Sequence, residues 1–187
     1  MIATSDGLAS AVLDLLRRSG ETLGTAESLT GGLVVARLTS VPGASEVVRG
    51  SVVSYAVGVK TDVLGVDEGL LEAYGVVSRE CAEAMAAGAR TLLQADWALA
   101  TTGVAGPGPS DGQPAGTVHL AVCGPPSGAG EHRGAHRLLH LNGSRQRVRE
   151  ATVDAVLELL LDTLQQGVSG PLGSVGGEVG RVEDRRA

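Results

Sequence analysis

Thr25-Ala26-Glu27-Ser28-Leu29-Thr30-Gly31-Gly32 stands between a short apolar segment and a run of helical composition, and its reading decides the fold. Residues 22–26 read as a short buried strand, and residues 33–39 as a helix stopped by Pro42-Gly43. A hydroxyl- and glycine-rich turn from strand to helix marks an α/β unit. Its chemistry admits two readings. A serine on such a turn can stand out as a nucleophile, with the first N–H groups of the helix aimed at an anion or oxyanion. Ser28 or Thr30 can equally do no more than cap the helix, as these residue types very commonly do.

Upstream, Leu8, Val12, Leu15 and Leu16 recur at helical spacing after Thr4-Ser5-Asp6, and Gly20 ends the run. Downstream, residues 46–55 hold two β-rich pieces around Gly50, of which 51–55 is the clearer strand. Short helical pieces follow at 60–64 and 68–74. Ser78 then caps a helix to about Gln94, with Glu80 and Glu83 in its first turns. Residues 97–102 read as a buried strand ending in the loop Gly103-Val104-Ala105-Gly106-Pro107-Gly108-Pro109. Residues 117–123 and 133–141 predict two further strands joined by a polar loop. Asn142-Gly143-Ser144 caps a last helix from Arg145 to about Gln165, with Val148, Val153, Val156, Leu157, Leu160 and Leu161 on its apolar face. Strands alternating with helices, followed by consecutive strands, predict an α/β fold: a three-layer α/β/α sandwich with a mixed sheet. Residues 1–166 form that domain, and 167–187, rich in glycine and charge without a period, read as a solvated tail.

A chain of 187 residues, 43% hydrophobic and 19% charged, can bury a proper core without staples. Aromatic residues make up only 2%, with no Phe, so the core rests on Leu, Val and Ala, and base-stacking platforms are nearly unavailable. With a net charge of −6, no nucleic-acid partner is expected. Cys81 and Cys123 have no paired spacing, so they predict neither disulfide nor zinc site and suit a reduced compartment. The N-terminus carries Asp6 and Asp14 and lacks the basic start and unbroken apolar run of a signal peptide. No stretch approaches the ~20 apolar residues of a membrane span, so a cytoplasmic protein with no membrane partner is expected. His132, His136 and His140 recur every four residues, as on one face of a helix, but the segment reads as a strand with no carboxylate partner nearby except Glu131, and no metal site is expected. His119 reads as a strand residue at a wall or interface.

In open α/β sheets, ligands gather at the carboxyl ends of strands. Three such ends carry polar or loop-forming residues: Glu27-Ser28, Tyr55, and Thr102 with the glycine loop after it. If they converge, the pocket holds Ser28, Thr30, Tyr55, Lys60 and Thr102. Each also has a plainer role open to it. Tyr55 can be a core residue, Lys60 a solvated charge, the 103–109 loop a simple turn, and Arg145 with Arg149 an exposed helix face.

In order along the chain, T-A-E-S-L-T-G-G, S-Y-A-V-G-V-K with L-G-V just beyond, T-G-V-A-G-P followed by P-A-G-T-V, and N-G-S-R-Q-R-V-R resemble the motifs of the CinA C-terminal domain family. The resemblance runs from Leu8 to about Leu164 and departs at Leu29, where many relatives carry Cys. Characterised members are nicotinamide mononucleotide deamidases. The resemblance therefore implies hydrolysis of the carboxamide of a small-molecule pyridine mononucleotide, with release of ammonia and no metal or organic cofactor. The large N-terminal domain of full-length members has no counterpart here, which implies the stand-alone form, and the relatives imply a homo-oligomer. Amide hydrolysis needs a nucleophile, a base, oxyanion donors and an acid for the leaving amine. On this resemblance Ser28 is the nucleophile and Lys60 the base, which requires its pKa to fall from ~10.4 towards ~7–8. Tyr55 would relay the proton or hold the lysine, and Thr102 would orient the substrate or share the proton network. The amides of Gly31 and Gly32 would meet the oxyanion, while Glu27, Thr30, Gly103, Ala105 and Gly106 would contact substrate. Arg145, at a helix N-terminus, would meet the phosphate. The alternative is a catalytically silent nucleotide-binding module of the same fold.

Overall fold

A computed structural model describes residues 5–126 and 132–168. Helix α1 (Ser5–Ser19) leads into strand β1 (Leu23–Glu27), helix α2 (Leu33–Thr39), a 3₁₀ turn (Ala44–Glu46) and strand β2 (Val48–Val53). The short helices α3 (Val57–Asp62) and α4 (Glu68–Tyr74) precede the longer α5 (Arg79–Leu92). Strands β3 (Trp97–Gly103), β4 (Thr117–Pro126) and β5 (His132–His140) follow, and helix α6 (Arg145–Val168) closes the fold. The five strands lie in the order β2-β1-β3-β4-β5. β1 runs parallel to both β2 and β3, whereas β3, β4 and β5 are successively antiparallel. The sheet is thus mixed, between two helical layers.

The two faces are packed differently. Against α1, α2 and α6 the sheet presents Leu23, Trp97, Leu99, Val118, Leu120 and Val122, a layer of large side chains. Against α5 it presents Ala26, Ala98, Ala100 and Ala121, which meet Ala82, Met85, Ala86 and Ala89 of the helix. Alanine on both surfaces brings that helix close to the strands. Gly88 continues the pattern: a Cβ there would lie 1.9 Å from the Leu64 carbonyl oxygen, so only glycine lets the segment after α3 lie against α5.

Several boundaries differ from the sequence expectation. β2 is one strand, passing through Gly50 at φ +154° opposite a register irregularity between Leu23 and Gly24. Glycine there bends the strand instead of ending it. α3 begins before Lys60, which therefore stands in its last turn. α6 extends to Val168, past the expected end near Gln165; of the expected tail, residues 169–187 lie outside the described residues. Among the described residues no helix is long and apolar enough to cross a membrane.

The parallel register builds the site edge. Glu27 lies opposite Val53 on one side and Thr101 on the other. Two hydrogen bonds continue the ladder beyond the strands: Ser54 N–H donates to the Glu27 carbonyl at 2.9 Å, and Ser28 N–H to the Thr101 carbonyl at 2.9 Å. Ser28, Ser54 and Thr102 consequently emerge side by side where three parallel strands end.

Candidate active site

The turn after β1 is organised by a carboxylate. Glu27 is fully buried and accepts from the N–H groups of Gly32 (2.8 Å), Val34 (3.0 Å) and Val35 (2.8 Å), meeting the donors that open α2. Gly31 N–H turns back to the Ser28 carbonyl at 3.1 Å, with Gly31 and Gly32 at φ +59° and +95°, where a side chain would be strained. The Thr30 hydroxyl lies 2.8 Å from that of Thr101, also buried. Glu27, Thr30, Gly31 and Gly32 therefore lie behind the cavity wall and build the turn; none of them lines the cavity. The helix is capped by Glu27, so the Ser28 hydroxyl is not spent as a cap. Gly31 and Gly32, expected as oxyanion donors, have already committed their amides. Among the described residues no group accepts from the N–H of Leu29 or Thr30.

Lys60 reaches this turn from α3. It is only 2% exposed, its Nζ stands 3.1 Å from Ser28 Oγ, and it donates to the Ser54 carbonyl through a short hydrogen bond. Burial pulls its pKa below the ordinary lysine value of 10.5, opposed by the negative charge of a Cys81 thiolate and of Asp111. Burial also pushes the Cys81 thiol up to about 11, so it is uncharged near neutrality and the Asp111 carboxylate is the charge that remains in opposition. Among the described residues no histidine lines this cavity. Thr102, 1% exposed, donates its hydroxyl proton to the Val76 carbonyl at 2.6 Å, which leaves its oxygen lone pairs as acceptors.

At the outer end Arg145, the first residue of α6, donates to the Gly106 carbonyl at 2.8 Å and to the Tyr55 hydroxyl at 2.8 Å. Tyr55 is 62% exposed and lies past the end of β2. Its hydroxyl serves Arg145 and not Lys60; the hold on the lysine comes instead from the Ser54 carbonyl. Between the two ends lies a cavity of about 400 Å³, of small-molecule size. Gly103, Ala105 and Gly106 line it. Gly103 is glycine because β4 crosses behind it: a Cβ would lie 2.6 Å from the Thr117 carbonyl oxygen.

Four contributors had no sequence signal as site residues: Ser54, Val76, Asp111 and Arg149. Ser54 and Val76 act through backbone carbonyls, and any residue type has one. Arg149 reads in sequence as the exposed partner of Arg145, yet its guanidinium donates to the Leu29 carbonyl at 3.0 Å and the Thr30 carbonyl at 2.8 Å. The described histidine side chains lie elsewhere, with His119 Nδ1 3.0 Å from His136 Nε2 on the strands β4 and β5.

The model of the CinA C-terminal domain matches residues 5–164. The chain belongs to the CinA C-terminal domain family. A CinA-like protein of Frankia casuarinae is 50% identical over 155 residues, which are 83% of this chain and 34% of the relative. A CinA-like protein of Gloeobacter violaceus is 46% identical over 159 residues, covering 84% of this chain and 36% of the relative. The chain thus spans about a third of the length of these relatives. Among solved structures, the competence/damage inducible protein CihA from Agrobacterium tumefaciens superposes with a TM-score of 0.78 at 37% identity, over 85% of this chain and 94% of that one. The competence damage-inducible protein A of Klebsiella pneumoniae gives a TM-score of 0.80 at 31% identity, over 87% and 98%. In this CinA-type domain the mixed sheet and its layers are those of the solved relatives.

Proposed function

We propose that this chain hydrolyses the carboxamide of nicotinamide mononucleotide to nicotinate mononucleotide and ammonia, using a serine nucleophile and a lysine base. The observation that carries the reading is the 3.1 Å contact between Ser28 Oγ and a buried Lys60 whose pKa is lowered. A neutral amine beside a hydroxyl is a base beside a nucleophile. A ligand-binding module has no need to bury a lysine against a serine.

Lys60 takes the Ser28 proton as Oγ bonds to the carboxamide carbon, and the carbonyl electrons move onto oxygen. The Leu29 and Thr30 amides, which have no acceptor among the described residues, are the donors available to that oxyanion. Lys60 then gives its proton to the amide nitrogen, the C–N bond breaks and ammonia leaves, with an ester left on Ser28. A water molecule, deprotonated by Lys60, attacks the ester; collapse frees the acid, which loses its proton to solvent, and Ser28 regains a proton through Lys60. Thr102, its own proton committed to Val76, can accept from the substrate NH₂ and so set which face meets Ser28. Arg145 has neutral partners, Gly106 and Tyr55, and its charge is available to the phosphate.

Purified protein supplied with nicotinamide mononucleotide and no added metal is expected to release ammonia and the acid in equal amounts. Saturable binding without ammonia release would replace this reading with that of a silent nucleotide-binding module.

A further inference from the structure

Resting on the amide-hydrolysis reading, we infer that Arg149 is a positioning residue for the oxyanion donors: its guanidinium fixes the peptide planes after the nucleophile so that two N–H groups face the developing charge. The argument begins with peptide geometry. A trans peptide holds its carbonyl and the next residue's N–H antiparallel in one plane, so fixing one fixes the other. Arg149 Nε donates to the Leu29 carbonyl at 3.0 Å, which orients the plane carrying the Thr30 N–H. Its second terminal nitrogen donates to the Thr30 carbonyl at 2.8 Å, which orients the plane carrying the Gly31 N–H. That N–H in turn donates to the Ser28 carbonyl at 3.1 Å, which orients the plane carrying the Leu29 N–H. One planar fork therefore constrains three successive peptide planes, and of their N–H groups those of Leu29 and Thr30 have no acceptor among the described residues.

The charge adds to the geometry. A cation on a carbonyl oxygen draws electron density through the amide, and the N–H of the same plane becomes a stronger donor. Donors held in place before the reaction cost no reorganisation when charge forms. Lysine cannot reproduce this arrangement, because a single ammonium lacks the fixed fork that spans two carbonyls. α6 is anchored independently by Val148, Val153, Val156 and Leu157 in the core, so the fork is not needed to dock the helix. Arg145 and Arg149, one turn apart, thus divide their work: the first stands at the cavity rim and the second lies behind the turn.

The test compares wild type with Arg149→Ala and Arg149→Lys by steady-state kinetics and melting temperature. In parallel, Ser28 is labelled with a fluorophosphonate, whose reaction also develops charge on oxygen but needs no nucleotide. Since losing one oxyanion donor costs about 10²–10³ in turnover, Arg149→Ala should lower kcat by roughly 10–100-fold with KM within about twofold. Labelling should slow by a similar factor, and added guanidinium ion should restore part of both rates. Arg149→Lys should fall between. Labelled wild type that does not release ammonia from nicotinamide mononucleotide would sink the substrate reading alone, and the labelling ratio would still decide the role of Arg149. Labelling and kcat within twofold of wild type in the folded alanine variant would overturn the inference. So would a loss that guanidinium does not relieve and that follows melting temperature, or a wild type in which Ser28 is neither labelled nor needed. If the alanine variant does not fold, Arg149→Lys and Arg149→Gln carry the same comparison.

Discussion

At the inner end of the cavity Lys60 is 2% exposed and is held by the Ser54 carbonyl, while at the outer end Tyr55 is 62% exposed and Arg145 reaches across to it. The inner groups are dry, close and anchored by backbone. The outer ones are long side chains in water. Burial lowers the pKa of a lysine and so favours its neutral form, at a cost in stability. Exposure leaves an arginine its charge and its reach, which suits a phosphate but not a proton transfer. On the proposed amide-hydrolysis reading, the inner end serves bond making and the outer end recognition, and substitutions at the two should give different kinetic signatures.

The sharpest break falls on the inner end. Ser28→Ala and Lys60→Arg should each lower kcat by about three orders of magnitude or more with KM little changed, since one removes the nucleophile and the other a proton that can be released near neutrality. Ammonia release measured over a substrate series checks this; Lys60→Arg with wild-type turnover would place the base elsewhere. At the outer end Arg145→Ala should lower kcat/KM for the mononucleotide by about 10–100-fold while sparing residual hydrolysis of the phosphate-free riboside. Equal losses on both substrates would make Arg145 a support for the loop at Gly106 instead.

Glu27 tests the wall between the two ends. Its buried carboxylate meets three backbone amides, so Glu27→Ala should cost about 3 kcal/mol or more, roughly a 10 °C fall in melting temperature for a domain of this size, and should disorder the Ser28 turn with it. An unchanged melting temperature with a raised KM would return Glu27 to the substrate.

The subtlest effects are in pH. Lys60 has a folded pKa below its unfolded value, so between the two the unfolded chain binds the extra proton and stability rises with pH, up to about 10.5. Lys60→Met should abolish that rise and leave the inactive variant at least as stable as wild type near neutrality. Thermal melts across pH read it. Turnover should show an ascending limb set by Lys60, and because the Asp111 carboxylate raises that pKa, Asp111→Asn should move the limb to lower pH. A limb that stays in place would separate Asp111 from the lysine.

The elements were legible where periodicity is long and punctuation strong. α1 and α5 carry clear apolar stripes bounded by Gly20 and by Ser78, whose hydroxyl accepts from Cys81 N–H. β2 was misread because Gly50 looks like a stop and is in fact a bend. The capping of α2 was illegible for a different reason. Side-chain caps are sought two or three residues before the amides they meet, whereas Glu27 reaches amides seven and eight residues on.

By itself the sequence determined the alternation of strands and helices, and with it the strand-to-helix turn that carries Ser28, because side-chain periodicity and turn chemistry act over a few residues. Only the tertiary structure decided which polar groups of that turn remained unspent. Glu27 and Arg149 claim their partners through contacts that close only when α2 and α6 are in place. The state of Lys60 was decided at the same level: the low pKa comes from removal of water by everything packed around it, and desolvation belongs to the whole fold and to no local motif.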